Sequence, residues 1–367
     1  MFKEVIKNKK ILLCVGAGGV GKTTSAAALA LGAASLGFRS LVLTIDPAKR
    51  LANSLGLKTL GHDIQKVDLT KFGIKNGSMS AMMLDQKKAF DEMVRTYSNN
   101  PESTLRILEN PIYKQISSTL AGAQEYAALT KLQQFAASDE YDLVVVDTPP
   151  TAHALDFLEA PQKLAEAIDS PAIEWFRKLQ NKKGWSLIGD TGSFVLKKLA
   201  TFVGSQFIDD ISSFFTEFND ILGGFKTRAD EVFKLLQDPN VGFTIVFKPE
   251  EFVVKEALKF YDHLKANNMP FVGFVCNRVH PSAPLSEEHE NTTRIASDLL
   301  ENAPALKIQL TTCHDQVEAL AQNDRKMIAE VQSKTSAASL VNVPLFHSDV
   351  HAIDALQRIA GVLLCDA

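Results

Sequence analysis

The nine residues "GAGGVGKTT", Gly16 to Thr24, constrain this chain more than any other stretch. They fit the spacing G-x-x-x-x-G-K-[ST], with Gly16, Gly21, Lys22 and Thr23 in the fixed places. Glycines let successive backbone N–H groups turn inward around phosphate oxygens, where side chains would block the approach. The run Gly18, Gly19, Val20, Gly21, Lys22, Thr23, Thr24 is therefore a candidate cradle for the phosphates of a nucleoside triphosphate. In that frame Lys22 supplies a point charge for the β- and γ-phosphates, and the Thr23 hydroxyl a ligand for Mg²⁺. A working loop needs a strand before it and a helix after it. "ILLCV" (Ile11 to Val15) reads as a buried strand, and Lys22 to Gly37 as a small-residue helix ended by Gly37. The N-terminus of that helix would face the phosphates.

Four further β-rich runs follow: "LVLTI" (Leu41 to Ile45), "LVVVD" (Leu143 to Asp147), "FTIVF" (Phe243 to Phe247) and "FVGFVC" (Phe271 to Cys276). Their near-continuous apolarity means that both faces are covered, as in a parallel sheet flanked by helices. The expected fold is α/β, a doubly wound and mostly parallel sheet of the P-loop NTPase type, with ligands beyond the carboxyl ends of its strands. Two acidic motifs sit at such ends. "LTIDPAKRLANSLGL" places Asp46 where a carboxylate can orient water for in-line attack. "VVVDTPPTAHALDFL" places Asp147 at the Walker-B position, holding a Mg²⁺-bound water.

Two long helical stretches lie between the strands, Gln86 to Ala137 and about Ala154 to Asp238. The second holds Phe194, Phe202, Phe207, Phe214, Phe215, Phe218, Phe225 and Phe233. In "FIDDISSFFTEF" the apolar positions follow helical i, i+3, i+4 spacing, which makes an amphipathic helix. Its phenylalanines either pack against the first helical stretch or form a surface that handles an apolar client. The expected division is a core of 1–85, 139–153 and 241–367, and a helical subdomain of 86–138 and 154–240.

Composition narrows the partners. A net charge of −4 gives no general attraction to nucleic acid. No run of 18 apolar residues occurs, so no stable membrane insertion is expected. The lysines Lys3, Lys7, Lys9 and Lys10 precede only five apolar residues, too few for a secretory core, so the cytoplasm is the expected location. Cys14 and Cys276 lie in buried strands and behave as small hydrophobes. Cys313, beside His314, lacks a second close pair to complete a metal site, and a structural use is expected.

The chain resembles the arsenite-pump ATPase (ArsA) family, which includes the guided-entry ATPases that deliver tail-anchored membrane proteins. The likeness spans nearly the whole chain. It rests on "GAGGVGKTT", "DPAKRLANSLG", "LAGAQEYAAL", "DTPPTAH", "GFVCNRVHP" and "VPLFHSDVHAIDAL", in that order. The resemblance implies a dimeric ATPase with a helical subdomain. It also implies that Asp46 is a switch I aspartate, Asp147 a switch II aspartate and Asn277 an adenine-recognising amide, with Pro344 and Leu345 in the loop over the adenine. Against the family pattern, Ala17 stands where activated members carry a lysine. The subunit-joining C-x-x-C and any arsenite-binding cysteine cluster are missing. His153 follows Ala152 where relatives often show Gly-His, and reads as a switch-region hydrogen-bonding residue.

The leading expectation is a Mg-ATP-hydrolysing ATPase, slow by itself, whose nucleotide state controls a hydrophobic helical surface. Its partners would be a second copy or a paralogue, and an apolar client protein. Lys49 and Arg50 are either a substitute for the missing cation at Ala17 or an ordinary helix start. The alternatives are a partition or septum-positioning ATPase, or a nucleotide-gated binding module with negligible turnover. The membrane-bound kind of septum ATPase needs a basic amphipathic C-terminal helix. His351 to Ala367 carries one Arg and no Lys, and reads instead as a packed helix.

Overall fold

The structure, a computed structural model, describes residues 2–45, 50–70, 73–98, 100–114, 123–169, 214, 221, 224, 227–282, 304–335, 339–346 and 353–365. The strands are β1 (Ile11–Val15), β2 (Arg39–Thr44), β3 (Gln65–Lys66), β4 (Ser78–Met83), β5 (Leu143–Asp147), β6 (Val241–Phe247), β7 (Phe271–Val279) and β8 (Leu340–Pro344). They form one sheet in the order β3-β4-β2-β5-β1-β6-β7-β8. Only β3 runs antiparallel to its neighbour, β4, and the other pairs are parallel. Every residue of β1, β5 and β6 is buried. Because successive side chains point to opposite faces, this requires cover on both sides of the sheet, as the apolar runs predicted.

β1 lies between β5 and β6, and the path reverses there. From β1 the chain crosses to β2 and β4 on one side, and later to β6, β7 and β8 on the other. A crevice opens at the carboxyl end of such a central strand. The helix α2 (Lys22–Ser35) makes the first crossover, and Gly37, at φ +96°, ends it. Its alanines let other elements come close. A Cβ on Gly32 would lie 3.0 Å from Leu364 Cδ1 of the helix α10 (Ile353–Leu364), which packs along α2 and buries Leu356 and Leu363. The C-terminal segment is thus a packed helix, as expected.

Among the described residues the first helical stretch holds three helices, α4 (Gln86–Tyr97), α5 (Pro101–Glu109) and α6 (Ala123–Ala137). The break before α5 is local chemistry. Asn100 Oδ1 accepts from Glu102 N at 2.9 Å, and Pro101 opens the helix where its missing N–H is harmless. The remaining helices include α1 (Phe2–Asn8), α3 (Arg50–Ser54), α7 (Thr151–Ile168), α8 (Glu251–Ala266) and α9 (Pro304–Lys334). Of the phenylalanine-rich segment, Phe214 is buried in the core and Phe233 packs partly against it. Phe214 therefore follows the packing reading. Phe194, Phe202, Phe207, Phe215, Phe218 and Phe225 lie outside the described residues.

Candidate nucleotide site

β1 delivers the glycine loop to the crevice. A Cβ at Gly16 would stand 2.0 Å from Val246 O, so only glycine fits between the loop and β6. Gly21 caps α2 with φ +100°, and its missing side chain leaves the helix without a side-chain cap. The first turn of α2 carries no acidic residue. A helix start with donors uncapped by side chains and no negative charge suits an anion. The donor set and the cradle fit the phosphates of a nucleotide.

Lys22 is folded back over the loop, Nζ donating to Gly16 O at 3.0 Å and Ala17 O at 2.9 Å. It is buried, which holds a cation at the mouth of the cradle. Thr24, the next residue but one, is half-buried in the first turn of α2. Gly18 and Gly19 form the turn of the loop, and Val20 closes it with a buried side chain.

The carboxylate of Asp147 gathers two hydroxyls on one oxygen. Thr23 Oγ1 donates to Oδ2 at 2.8 Å, and Thr44 Oγ1 donates to the same atom at 2.9 Å. Asp147 and Thr44 are both buried. Thr44 is a site residue that sequence reasoning missed. Its signal was a single hydroxyl closing the apolar strand "LVLT". Next to Asp147, Thr148 donates from Oγ1 to Cys14 O at 2.9 Å, which pins the start of the "TPP" segment to β1. Pro150 of that segment comes within 3.9 Å of a Cβ built on Gly18. Burial, and then the Asp147 charge, push the Cys14 thiol well above its ordinary range. Burial also raises Cys276. Both thiols are buried and held protonated at neutral pH, as structural cysteines are.

The three residues expected at the base come together on neighbouring strand ends. Asn277 pairs with Val343, and Val279 with Pro344, across a register shift. Leu345 N then donates to Val279 O at 2.8 Å. Asn277 Nδ2 donates to Val20 O at 2.8 Å, and Oδ1 accepts from Arg278 N at 3.0 Å. The candidate base side is therefore hydrogen-bonded to the phosphate loop itself. Arg278 adopts φ +60°, an uncommon conformation for a large side chain. His280, two residues on, is clamped to α9, since its N and Nδ1 both lie 2.8 Å from Asp324 Oδ2.

Asp46 and Lys49 lie outside the described residues, as do the side chains of Arg50 and His153. Ala17 packs partly against the core and brings no charge to the loop. Among the described residues no group of three or more His, Cys, Asp and Glu could hold a metal. Cys313 is exposed on α9.

Comparison with known proteins follows the same outline. The family described as "Anion-transporting ATPase" matches residues 9–302. The chain is 28% identical over 219 residues to "ATPase GET3" of Malassezia globosa, covering 57% of this chain and 62% of that protein. It is 22% identical over 363 residues to "Putative arsenical pump-driving ATPase 1" of Aquifex aeolicus, covering 97% and 79%. It is 24% identical over 376 residues to "ATPase GET3C" of Arabidopsis thaliana, covering 99% and 84%. The match to the Malassezia protein thus spans less than two thirds of that relative's length.

Proposed function

The chain belongs to the anion-transporting ATPase family, and from that premise we propose that it binds Mg-ATP at the Gly16–Thr24 loop and hydrolyses it slowly by itself. The observation that carries this reading is the single Asp147 oxygen shared by Thr23 and Thr44 beneath a glycine loop at a helix start. Thr23 Oγ1, and the Asp147 carboxylate through a water, would hold Mg²⁺, which when bound neutralises charge on the phosphate oxygens. The Thr23 and Thr44 hydroxyls orient that carboxylate. Lys22 keeps a buried cation beside the cradle, poised to exchange its contacts with Gly16 O and Ala17 O for phosphate oxygens. Asn277 presents an amide that can donate to and accept from adenine, with Pro344 and Leu345 beside it. Asp46 positions the attacking water.

In this reading 1–85, 139–153 and 241–367 form the ATPase core, and 86–138 and 154–240 a helical subdomain that takes up an apolar client protein. Two copies, or one copy and a paralogue, work together in the cytoplasm. The relatives' names support the ATPase and transport-related part of this reading. The septum-positioning alternative loses ground because α10 lays its apolar face on α2. Among the described residues no helix is long and apolar enough to cross a membrane. Steady-state release of phosphate by the pure protein is the test. Slow turnover that requires both ATP and Mg²⁺ supports the reading, whereas binding without turnover would leave a nucleotide-gated module.

A further inference from the structure

Three charged side chains are buried among the described residues: Lys22, Asp147 and Asp324. The first two belong to the nucleotide site described above. The third is on α9, and its side chain is only 4% exposed. Asp324 interrupts the face by which α9 meets α8 and β7, where Ala321, Met327, Ile328 and Val331 are also buried. A carboxylate in such a place costs free energy that an apolar side chain of similar volume would not. The reason for the charge lies in what it holds.

It holds one residue twice. His280 N donates to Asp324 Oδ2 at 2.8 Å, and His280 Nδ1 lies 2.8 Å from the same oxygen. An ionised carboxylate only accepts, so Nδ1 carries the hydrogen of that contact. His280 directly follows β7, whose end carries Asn277. Between the two residues the strand is irregular. Its pairing with β8 shifts register between Asn277 and Val279, and Arg278, inside the shift, stands at φ +60°. A large side chain keeps that conformation only where its surroundings impose it. There is an anchor on each side. Before Arg278, Asn277 Nδ2 donates to Val20 O at 2.8 Å. After it, Asp324 clamps both the backbone and the ring of His280.

The anchored amide has a defined polarity. Val20 O accepts from Nδ2, and Oδ1 accepts from Arg278 N, so the two ends of the amide cannot be exchanged. Nδ2 has a second hydrogen and Oδ1 a second lone pair, which together offer one donor and one acceptor. Adenine presents a donor and an acceptor side by side, at N6 and N7, whereas guanine presents two acceptors, O6 and N7. An amide held in one orientation matches the first and mismatches the second.

We propose that Asp324 is a positioning residue for base selectivity: by clamping His280 it holds the irregular end of β7, and so the Asn277 amide, in the orientation that prefers adenine to guanine. This role rests on the adenine reading of Asn277 given above. Asp324 acts through His280 and not on the nucleotide itself. Without it one anchor is gone, Arg278 relaxes and the amide turns. The phosphate loop keeps its glycines, Lys22 and the uncapped start of α2, so phosphate binding is spared.

Equilibrium binding of ATP, GTP and tripolyphosphate to the full chain, with Mg²⁺, tests this. The wild type should prefer ATP to GTP by at least about tenfold. In Asp324→Ala the preference should fall to about threefold or less through weaker ATP binding, with tripolyphosphate affinity kept within about threefold. Asp324→Asn keeps an oxygen for His280 and should restore most of the preference. His280→Ala leaves the backbone donor in place and should fall between the two. Arg325→Ala, the next residue on α9 and paired with Glu318 at 2.6 Å, should leave the preference unchanged. A preference kept in Asp324→Ala but lost in Asn277→Ala overturns the proposal and leaves the adenine reading standing. A preference kept in both, or absent from the wild type, overturns the two together. Loss in Arg325→Ala as well, or an equal drop in tripolyphosphate binding, also overturns the proposal, because the effect is then general damage to the fold. Should Asp324→Ala fail to fold, the remaining pair decides: a preference reduced in His280→Ala and kept in Asp324→Asn supports the clamp, and one untouched in His280→Ala overturns it.

Discussion

Replacing Gly21 by alanine probes how the phosphate loop is joined to the base side of the site. At φ +100° an alanine is strained, which costs about 1–3 kcal/mol. Its Cβ would also stand 2.1 Å from Asn277 Nδ2, so the amide must leave. That forfeits the 2.8 Å hydrogen bond to Val20 O, worth about 0.5–1.5 kcal/mol. Together Gly21→Ala should lower stability by about 2–4 kcal/mol. Asn277→Ala alone should cost about 1–3 kcal/mol, because the amide's hydrogen bonds to Val20 O and from Arg278 N are both lost. In the double variant the methyl meets no amide, so the loss should fall short of the sum by about 1 kcal/mol. Urea denaturation of the four proteins measures each step. Strict additivity would refute the contact between the cap glycine and Asn277, and with it the coupling of loop and base side.

Three other changes address the chemistry. Asp46→Asn should still bind ATP but turn over at least about 10²-fold more slowly, read by steady-state phosphate release, if Asp46 positions water. Asp147→Asn keeps an oxygen for Thr23 and Thr44 but loses the charge, so the Mg²⁺ concentration for half-maximal turnover should rise about tenfold or more. Unchanged Mg²⁺ dependence would remove Asp147 from the metal site. Ala17→Lys should speed turnover, because a cation reaching a second copy's nucleotide can be worth about 10³–10⁵ in rate. Fast wild-type hydrolysis lost in Lys49→Ala or Arg50→Ala would instead establish a substitute cation.

The parallel core was legible because its strands are largely apolar and covered on both faces, and every residue of β1, β5 and β6 is buried. β4 escaped notice. Its sequence, "SMSAMM", has no β-branched residue, and only its pairing with β2 and β3 makes it a strand. The segment "LVNVP" of β8 is short and ends in proline, so it reads as a loop until β7 pairs with it. In the site, the glycine spacing identified the loop because close approach of backbone to phosphate leaves few residue choices. Thr44 could not be ranked from sequence, since its partner Asp147 lies 103 positions away. The hydrogen bond from Asn277 to Val20 O spans 257 positions and is equally invisible in one dimension.

Equilibrium binding of ATP in the presence of Mg²⁺, to the wild type and to Lys22→Ala, tests most directly whether Gly16–Thr24 is a nucleotide cradle. Lys22 is buried against the loop's own carbonyls, so its loss removes the cation beside the phosphates while the glycine turn remains. The wild type should bind ATP saturably, more tightly with Mg²⁺ than with a chelator, and Lys22→Ala should bind at least about tenfold more weakly. Equal affinity of the two proteins, or no saturable binding by the wild type, would contradict the account.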